Sequence, residues 1–274
     1  MKVYLCALAK NEHLYINEWV NYYFRLGFDK IFIFDNDDKD SPNIKDYIDK
    51  DLLNMVRIIN ARGRHFKNIQ GFYYTNFYNV EKDNFDYCLF CDIDEFLVGI
   101  DNIKKFLSKP CFSAFEQIRI KWKLYGDSGY IIRDMSKGVM ETFTELAKYS
   151  LYRDLSGECN LKDQGKCIVK GHLQGVMFDS VHYASRGNKI LNECLPSGKV
   201  CQSGVAIVDN YDNESVFINH YMTKSLSEFI YQKMNRTDAV FDKRKLDFNY
   251  YWRLNEKTQE KLDYIKDLGL DINI

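Results

Sequence analysis

The first hundred residues alternate short, wholly apolar runs with longer stretches of helical spacing. Val3–Ala9 is apolar throughout and gives way to the polar Lys10-Asn11-Glu12. Ile16, Trp19, Val20, Tyr23 and Phe24 then recur at the intervals of one helix face, with Glu18 and Asn21 off that stripe. Gly27 follows where a helix end wants a left-handed residue. Lys30–Phe34 is the next apolar run and closes on Asp35-Asn36-Asp37-Asp38. A weaker helical pattern over Ile44–Leu52 leads to the strand Met55–Ile59. Phe66 to Val80 reads as a helix, and Tyr87–Cys91 as a fourth buried strand ending in Asp92-Ile93-Asp94-Glu95. Strands that are apolar throughout, separated by helices, predict an α/β fold with a mostly parallel sheet covered on both faces. Such sheets take ligands beyond the carboxyl ends of their strands. Lys10-Asn11-Glu12, Asp35-Asn36 and Asp92 to Glu95 all fall at that edge.

Past Gly99 the rhythm changes. Phe115–Leu124 alternates as a half-exposed strand and runs into the turn Gly126-Asp127-Ser128-Gly129. Met140–Lys148 reads as a short helix. Lys166–Val169, Val176–Tyr183, Val205–Val208 and Ser215–His220 read as short strands. Helices from Ser225 to Asn235 and from Glu256 to Leu268 follow. There is no linker, repeat or low-complexity tract, so the second half reads as an addition to the first within one domain spanning 1–274.

Composition narrows the class. With 274 residues the chain can bury roughly three quarters of its unfolded surface and needs no disulfide or metal staple. Lys and Arg number 38 against 39 Asp and Glu, which removes the electrostatic case for nucleic-acid binding. No run of about 18 apolar residues is present, so no membrane span is expected. The eight cysteines read as free, cytosolic thiols. Cys88 and Cys91, three apart on one strand, would point to opposite faces and not converge. MKVYLCALAK is too short for a signal peptide and reads as the first strand, which makes the protein cytoplasmic.

Asp-x-Asp triplets begin at Asp35, Asp38, Asp49 and Asp92. Those at Asp38 and Asp49 lie in solvated stretches. Asp92, Asp94 and Glu95 instead lie between two apolar segments, where three carboxylates repel unless a cation or a hydrogen-bond network neutralises them. Hard oxygen donors suit Mg2+ or Mn2+, which also hold phosphate oxygens. His220, at the end of a late strand, is the candidate third ligand, with Lys224 close behind to meet a diphosphate.

These residues also carry a family likeness. CALAKNEHLYINEWVNYYFRLGFDKIFIFDND, then Gln70 with Tyr73 and Tyr74, YCLFCDIDEFL, Trp122 with YGDSG, GVMETFTE, GKCIVK, VHY around His182 and INHYMTKSLSEF occur in an order that resembles glycosyltransferase family 92. That family, first catalogued as a domain of unknown function, groups nucleotide-sugar enzymes of the GT-A fold. The likeness runs from Cys6 to Arg236. It departs at Asp127, where the family turn carries a small hydroxyl residue, and at Lys170-Gly171, where the family often has Pro.

The resemblance implies a GT-A, Rossmann-like sheet with a nucleotide-binding half over 1–100, an acceptor-side half of mixed strands over 101–240 and a helical tail over 241–274. Lys10, Asn11, Glu12, Asp35 and Asn36 would border the uracil and ribose of a UDP-sugar, and Gln70 would approach the same base. Asp92 and Asp94, joined by His220, would hold Mn2+ or Mg2+ on the diphosphate, and Lys224 would meet the phosphates. The implied reaction is an inverting hexosyl transfer, with Glu141 or Asp127 as the base. The acceptor would be a saccharide or lipid-linked saccharide of surface polysaccharide synthesis. Lys224 to Lys245 mixes aromatic and basic residues and is a candidate for peripheral membrane contact, an ordinary amphipathic helix being the alternative. Competing readings are a phosphohydrolase with an aspartate nucleophile and a non-catalytic sugar-binding module built on Trp122, Tyr125 and Tyr130.

Overall fold

The computed structural model describes residues 1–148, 164–201, 213–236 and 246–271, together with Val208, Tyr211 and the backbone of 151–154 and 157–160. Strands β1 (Val3–Ala9), β2 (Lys30–Asp35), β3 (Val56–Asn60) and β4 (Tyr87–Phe90) are mutually parallel in the order β3-β2-β1-β4. Helix α1 (Ile16–Arg25) connects the first two, and α2 (Ile69–Glu81) leads into β4. The sheet continues through β5 (Glu95–Val98), β6 (Gln117–Leu124), β9 (Gly165–Lys170), β13 (Glu193–Cys194) and β14 (Phe217–His220). Its spatial order is β3-β2-β1-β4-β9-β6-β14-β5, with β13 also on β6. Strand β9 lies antiparallel between β4 and β6. The fold is therefore α/β, a mostly parallel mixed sheet flanked by helices, as the apolar rhythm predicts.

Short elements fill the remainder: α3 (Ile103–Leu107), α4 (Val139–Thr142), β7 (Leu151–Asp154), β8 (Gly157–Asn160), β10 (Val176–Met177), β11 (Ser185–Arg186), β12 (Lys189–Ile190), α5 (Leu226–Glu228), α6 (Phe248–Leu254) and α7 (Gln259–Asp267). The chain divides into two compact units. Met1–Trp122 with Asp163–Ile218 forms one, and Lys123–Lys162 with Asn219–Ile274 forms the other. Among the described residues no helix is long and apolar enough to cross a membrane. The seven described cysteines are free thiols.

In the first unit the α1 stripe is buried as its spacing predicts, apart from the partly exposed Phe24. Gly27 takes φ +100°, and the Phe28 amide bonds back to the Tyr23 carbonyl at 3.2 Å to close the helix. The α1 aromatics reach across to β5. Trp19 Nε1 and the Tyr23 hydroxyl each donate to the Glu95 carbonyl at 3.0 Å. Helix α2 covers the sheet face that carries Phe32, Phe34 and Phe90, through Phe77, Tyr73 and Tyr74.

Four local expectations are corrected. Strand β6 is half-exposed only towards its end: Gln117 and Arg119 are buried and both donate to Glu193 at 3.0 Å, whereas Lys121 is partly exposed and Lys123 exposed. The helix expected over Met140–Lys148 stops at Thr142, because Ala147 turns back to bond the Leu124 carbonyl at 2.9 Å. The strand expected over Val176–Tyr183 ends at Met177, where the Phe178 amide is taken by the Thr75 hydroxyl at 2.9 Å. Ile44–Leu52 forms two 3-10 turns and not one helix. The expected strand Val205–Val208 lies, but for Val208, outside the described residues, as do residues 237–245 of the basic aromatic segment.

The second unit packs α5, the wide turn Phe229–Lys233, α6 and α7 around Leu226, Phe229, Ile230, Phe248, Tyr251 and Ile265. Ser225 and Glu228 cap α5 reciprocally.

Candidate functional site

Two clusters form at the carboxyl edge of the parallel strands, both within the first unit. The first joins the ends of β1 and β2. The chain leaves β1 with Asn11 at φ +58°, and its amide donates to the buried Asp37 Oδ1 at 2.6 Å. The other Asp37 oxygen faces His13 Nδ1 at 3.6 Å, and the His13 ring stacks on Tyr47. Burial raises the Asp37 pKa; the Asn11 amide pulls it back, and the neighbouring Asp35 adds to the rise. Asp35 is itself buried and pairs with Arg62 at 3.3 Å. The Asn36 side chain bonds the carbonyls of Ala61 and Arg64 at 2.9 and 2.8 Å. Lys10 pairs with the exposed Asp38 at 3.2 Å. The Glu12 carbonyl starts α1 by accepting from Tyr15 and Ile16 at 3.0 Å.

The second cluster surrounds the turn after β4. The Asp92 amide donates to Glu95 Oε2 at 2.8 Å, and the Glu95 amide returns to the Asp92 carbonyl at 3.2 Å. One Asp92 carboxylate oxygen accepts from Gln70 Nε2, whose amide also donates to the Tyr74 hydroxyl at 2.8 Å. The other accepts from Lys166 Nζ at 2.9 Å, and the same ammonium lies 3.8 Å from Glu95 Oε1. Lys166 and Glu95 side chains are fully buried, whereas Asp92 keeps 31% exposure. Burial opposes the charge on Lys166, but Asp92 and Glu95 outweigh it and raise its pKa. Burial also lifts the Glu95 carboxyl well above its ordinary range against the pull of Lys166. His182 sits nearby with Nδ1 at 3.0 Å from the Gly165 carbonyl. Burial, then Lys166, lowers its pKa to about 3, so the imidazole is neutral.

Gln70 and Asp92 are thus brought together, as are Asn11, Asp35 and Asn36. Asp94 is buried in the same turn as Asp92. Lys10 and Glu12 lie at the β1 end of the same unit, and the remaining candidates lie in the second unit. His220 is buried, its carbonyl accepting from the Tyr125 amide at 3.0 Å. Lys224 is buried at φ +55°. Glu141 is exposed on α4. Asp127 is buried, held by Lys261 at 2.5 Å and by the Tyr251 hydroxyl. These two donors tie the Asp127 turn to α6 and α7. The sequence reading passed over Lys166, Arg62, His13 and Asp37. Lysine in the otherwise apolar CIV stretch of β9 was the available signal for the first.

The chemistry of the donors decides how a divalent cation fits. An ion bonding Asp92 at about 2.1 Å would stand against an ammonium 2.9 Å from the same carboxylate. Two cations on one carboxylate repel, so Asp92 could take such an ion only on the oxygen turned away from Lys166 and with further anionic groups to offset the charge. Asp94, buried in the same turn, offers the hard carboxylate oxygens that suit such an ion. Among the described residues no three His, Cys, Asp or Glu side chains are gathered as a metal cage.

The sheet order and this edge define an α/β protein with a Rossmann-like sheet, consistent with a GT-A fold. No protein-family profile matches the chain, and no curated protein matches it. Among solved structures, the crystal structure of S. aureus TarS is similar over 49% of this chain at 15% identity, with a TM-score of 0.32. The likeness spans 23% of that chain, less than a quarter of its length. Similarity of that size carries no argument, and the fold class rests on the sheet itself.

Proposed function

We propose that this protein is a glycosyltransferase that binds a nucleotide sugar, in the first instance a UDP-hexose, at the carboxyl edge of β1, β2 and β4. The supporting observation is Asp92: a half-open carboxylate at the end of a parallel strand, fixed from behind by Gln70 and Lys166. A charged acceptor held this rigidly suits hydroxyl groups of a ribose or sugar. Asn11, Asp35 and Asn36 at the neighbouring strand ends would border the base and ribose. Transfer would form a bond from an acceptor hydroxyl oxygen to the anomeric carbon as the bond to the diphosphate breaks, with inversion. The proton would go to a carboxylate acting as general base. Asp94 would hold a Mg2+ or Mn2+ ion, which supplies charge neutralisation to a departing diphosphate when bound. A saccharide, free or lipid-linked, is the acceptor class in this reading.

The phosphohydrolase reading fares worse, because a nucleophilic aspartate needs an oxygen clear for in-line attack and both Asp92 oxygens accept hydrogen bonds. The test is calorimetric titration with UDP, GDP and CDP, with and without Mn2+, followed by UDP release from UDP-hexoses. UDP is expected to bind selectively, and Asp92→Asn to weaken it about ten- to a hundredfold. Binding of no nucleotide, or an unaltered Asp92→Asn variant, would sink the proposal.

A further inference from the structure

We infer that Lys166 is the positioning residue of this site, a built-in counter-ion that fixes the rotamer of Asp92 and so sets donor affinity; the inference rests on the reading of Asp92 as a donor contact. Register explains its placement. Cys167 of β9 pairs with Phe90, the last residue of β4, so Lys166 falls beside the chain that turns into Asp92. On its other side Lys166 pairs with Ile120 of β6, and its ammonium lies 5.8 Å from the centre of the Trp122 ring. The side chain is walled in by sheet and indole and meets the turn at its tip.

The strand itself does not need a lysine. Its neighbours Cys167, Ile168 and Val169 are fully buried apolar residues. A buried ammonium costs several kcal/mol in desolvation, which well-packed apolar side chains avoid. What the lysine provides is geometric. Asp92 and Glu95 are tied into one turn by reciprocal bonds at 2.8 and 3.2 Å, which leaves their carboxyl groups close enough to repel. The ammonium lies 2.9 Å from one and 3.8 Å from the other and removes that repulsion. Gln70, itself aligned by Tyr74 on α2, clamps the opposite Asp92 oxygen. Helix α2 and strand β9 thus grip the carboxylate from two sides and leave its remaining surface to a ligand.

Three variants separate positioning from folding. Lys166→Met/Glu95→Gln removes the buried cation together with its second anion, so the fold keeps no orphaned charge beyond the half-open Asp92. Lys166→Met alone and Lys166→Arg complete the set. The double variant is expected to melt within a few degrees of wild type, yet to raise the KM for UDP-hexose and the Kd for UDP about tenfold or more. Its kcat should fall less, the sign of lost donor binding and not of lost chemistry. Lys166→Arg should recover part of that affinity. In a crystal structure of the double variant, Asp92 should have left Gln70 for solvent. A folded double variant with wild-type Kd and KM, or with Asp92 still on Gln70, overturns the inference. Wild-type protein that binds no nucleotide overturns the functional reading instead, and the position of Asp92 in the double variant then decides the inference alone.

Discussion

Arg62 shows how one side chain can shape the candidate donor edge. Its guanidinium pairs with Asp35 at 3.3 Å and also donates to the carbonyls of Asp38, Lys39, Ser41 and Pro42. The planar fork therefore ties the end of β2 to the loop that follows it, using directions that a lysine ammonium cannot reproduce. Asp35 is 2% exposed and faces this guanidinium. Arg62→Ala is expected to cost about 3 kcal/mol, measured as a lowered urea midpoint, because it leaves a buried carboxylate uncompensated. Arg62→Lys should recover less than half. A loss below about 0.5 kcal/mol would mean the pair is an ordinary surface bridge. Gly171 makes a different residue-scale point. A side chain there would place its first carbon 1.9 Å from the Phe85 carbonyl, and the Gly171 amide donates to the Asp86 carbonyl at 2.7 Å. Proline could satisfy neither constraint.

At the scale of elements, helix α7 supplies more than a tail. Its Lys261 meets Asp127 at 2.5 Å, while Asn255, just after α6, accepts from the Asp127 amide at 2.6 Å. Both charges are buried, so Lys261→Met is expected to destabilise the protein by about 3–5 kcal/mol. The paired change Lys261→Met/Asp127→Asn should restore most of that loss; chemical denaturation of both variants tests it. Equal losses in the single and double variants would show that packing, and not the ion pair, holds α7. These contacts join residues over a hundred positions apart, and no local pattern announces them. Where a pattern is local, it was legible: the α1 stripe and the four parallel strands followed from spacing alone. Strand β6 misled for the opposite reason. Its alternation was real, but Gln117 and Arg119 find their partner in Glu193, and a polar face with a distant partner looks the same as a solvated one. The turn after β4 was readable as a place where carboxylates need a cation. That Lys166, seventy residues later, is a cation there was not readable.

Across the whole molecule, buried titratable groups bound the pH range of stability. Burial pushes Tyr22 up to about 12 from 10.0, and Cys167 and Cys194 to about 12 from 9.0. An unfolded chain releases these protons first, so it binds fewer than the folded state, and stability falls as pH rises through 9 and then 10. His182 works at the other end. Its folded pKa of about 3 lies below the ordinary 6.5, so the unfolded chain takes up the proton first and stability falls as pH drops below 6.5. Urea midpoints measured from pH 5 to 11 should show a plateau between roughly 6.5 and 9, with a decline on each side. A midpoint still climbing between pH 9 and 11 would contradict this account.

Strand β9 has a consequence for how the chain is made. It fills the gap between β4 and β6, yet it leaves the ribosome some forty residues after β6. Until it emerges, the nascent polypeptide presents two raw strand borders whose backbone groups have nothing to bind. Translation at about 5–20 residues per second keeps that gap open for seconds, an interval in which chaperone capture competes with misassembly.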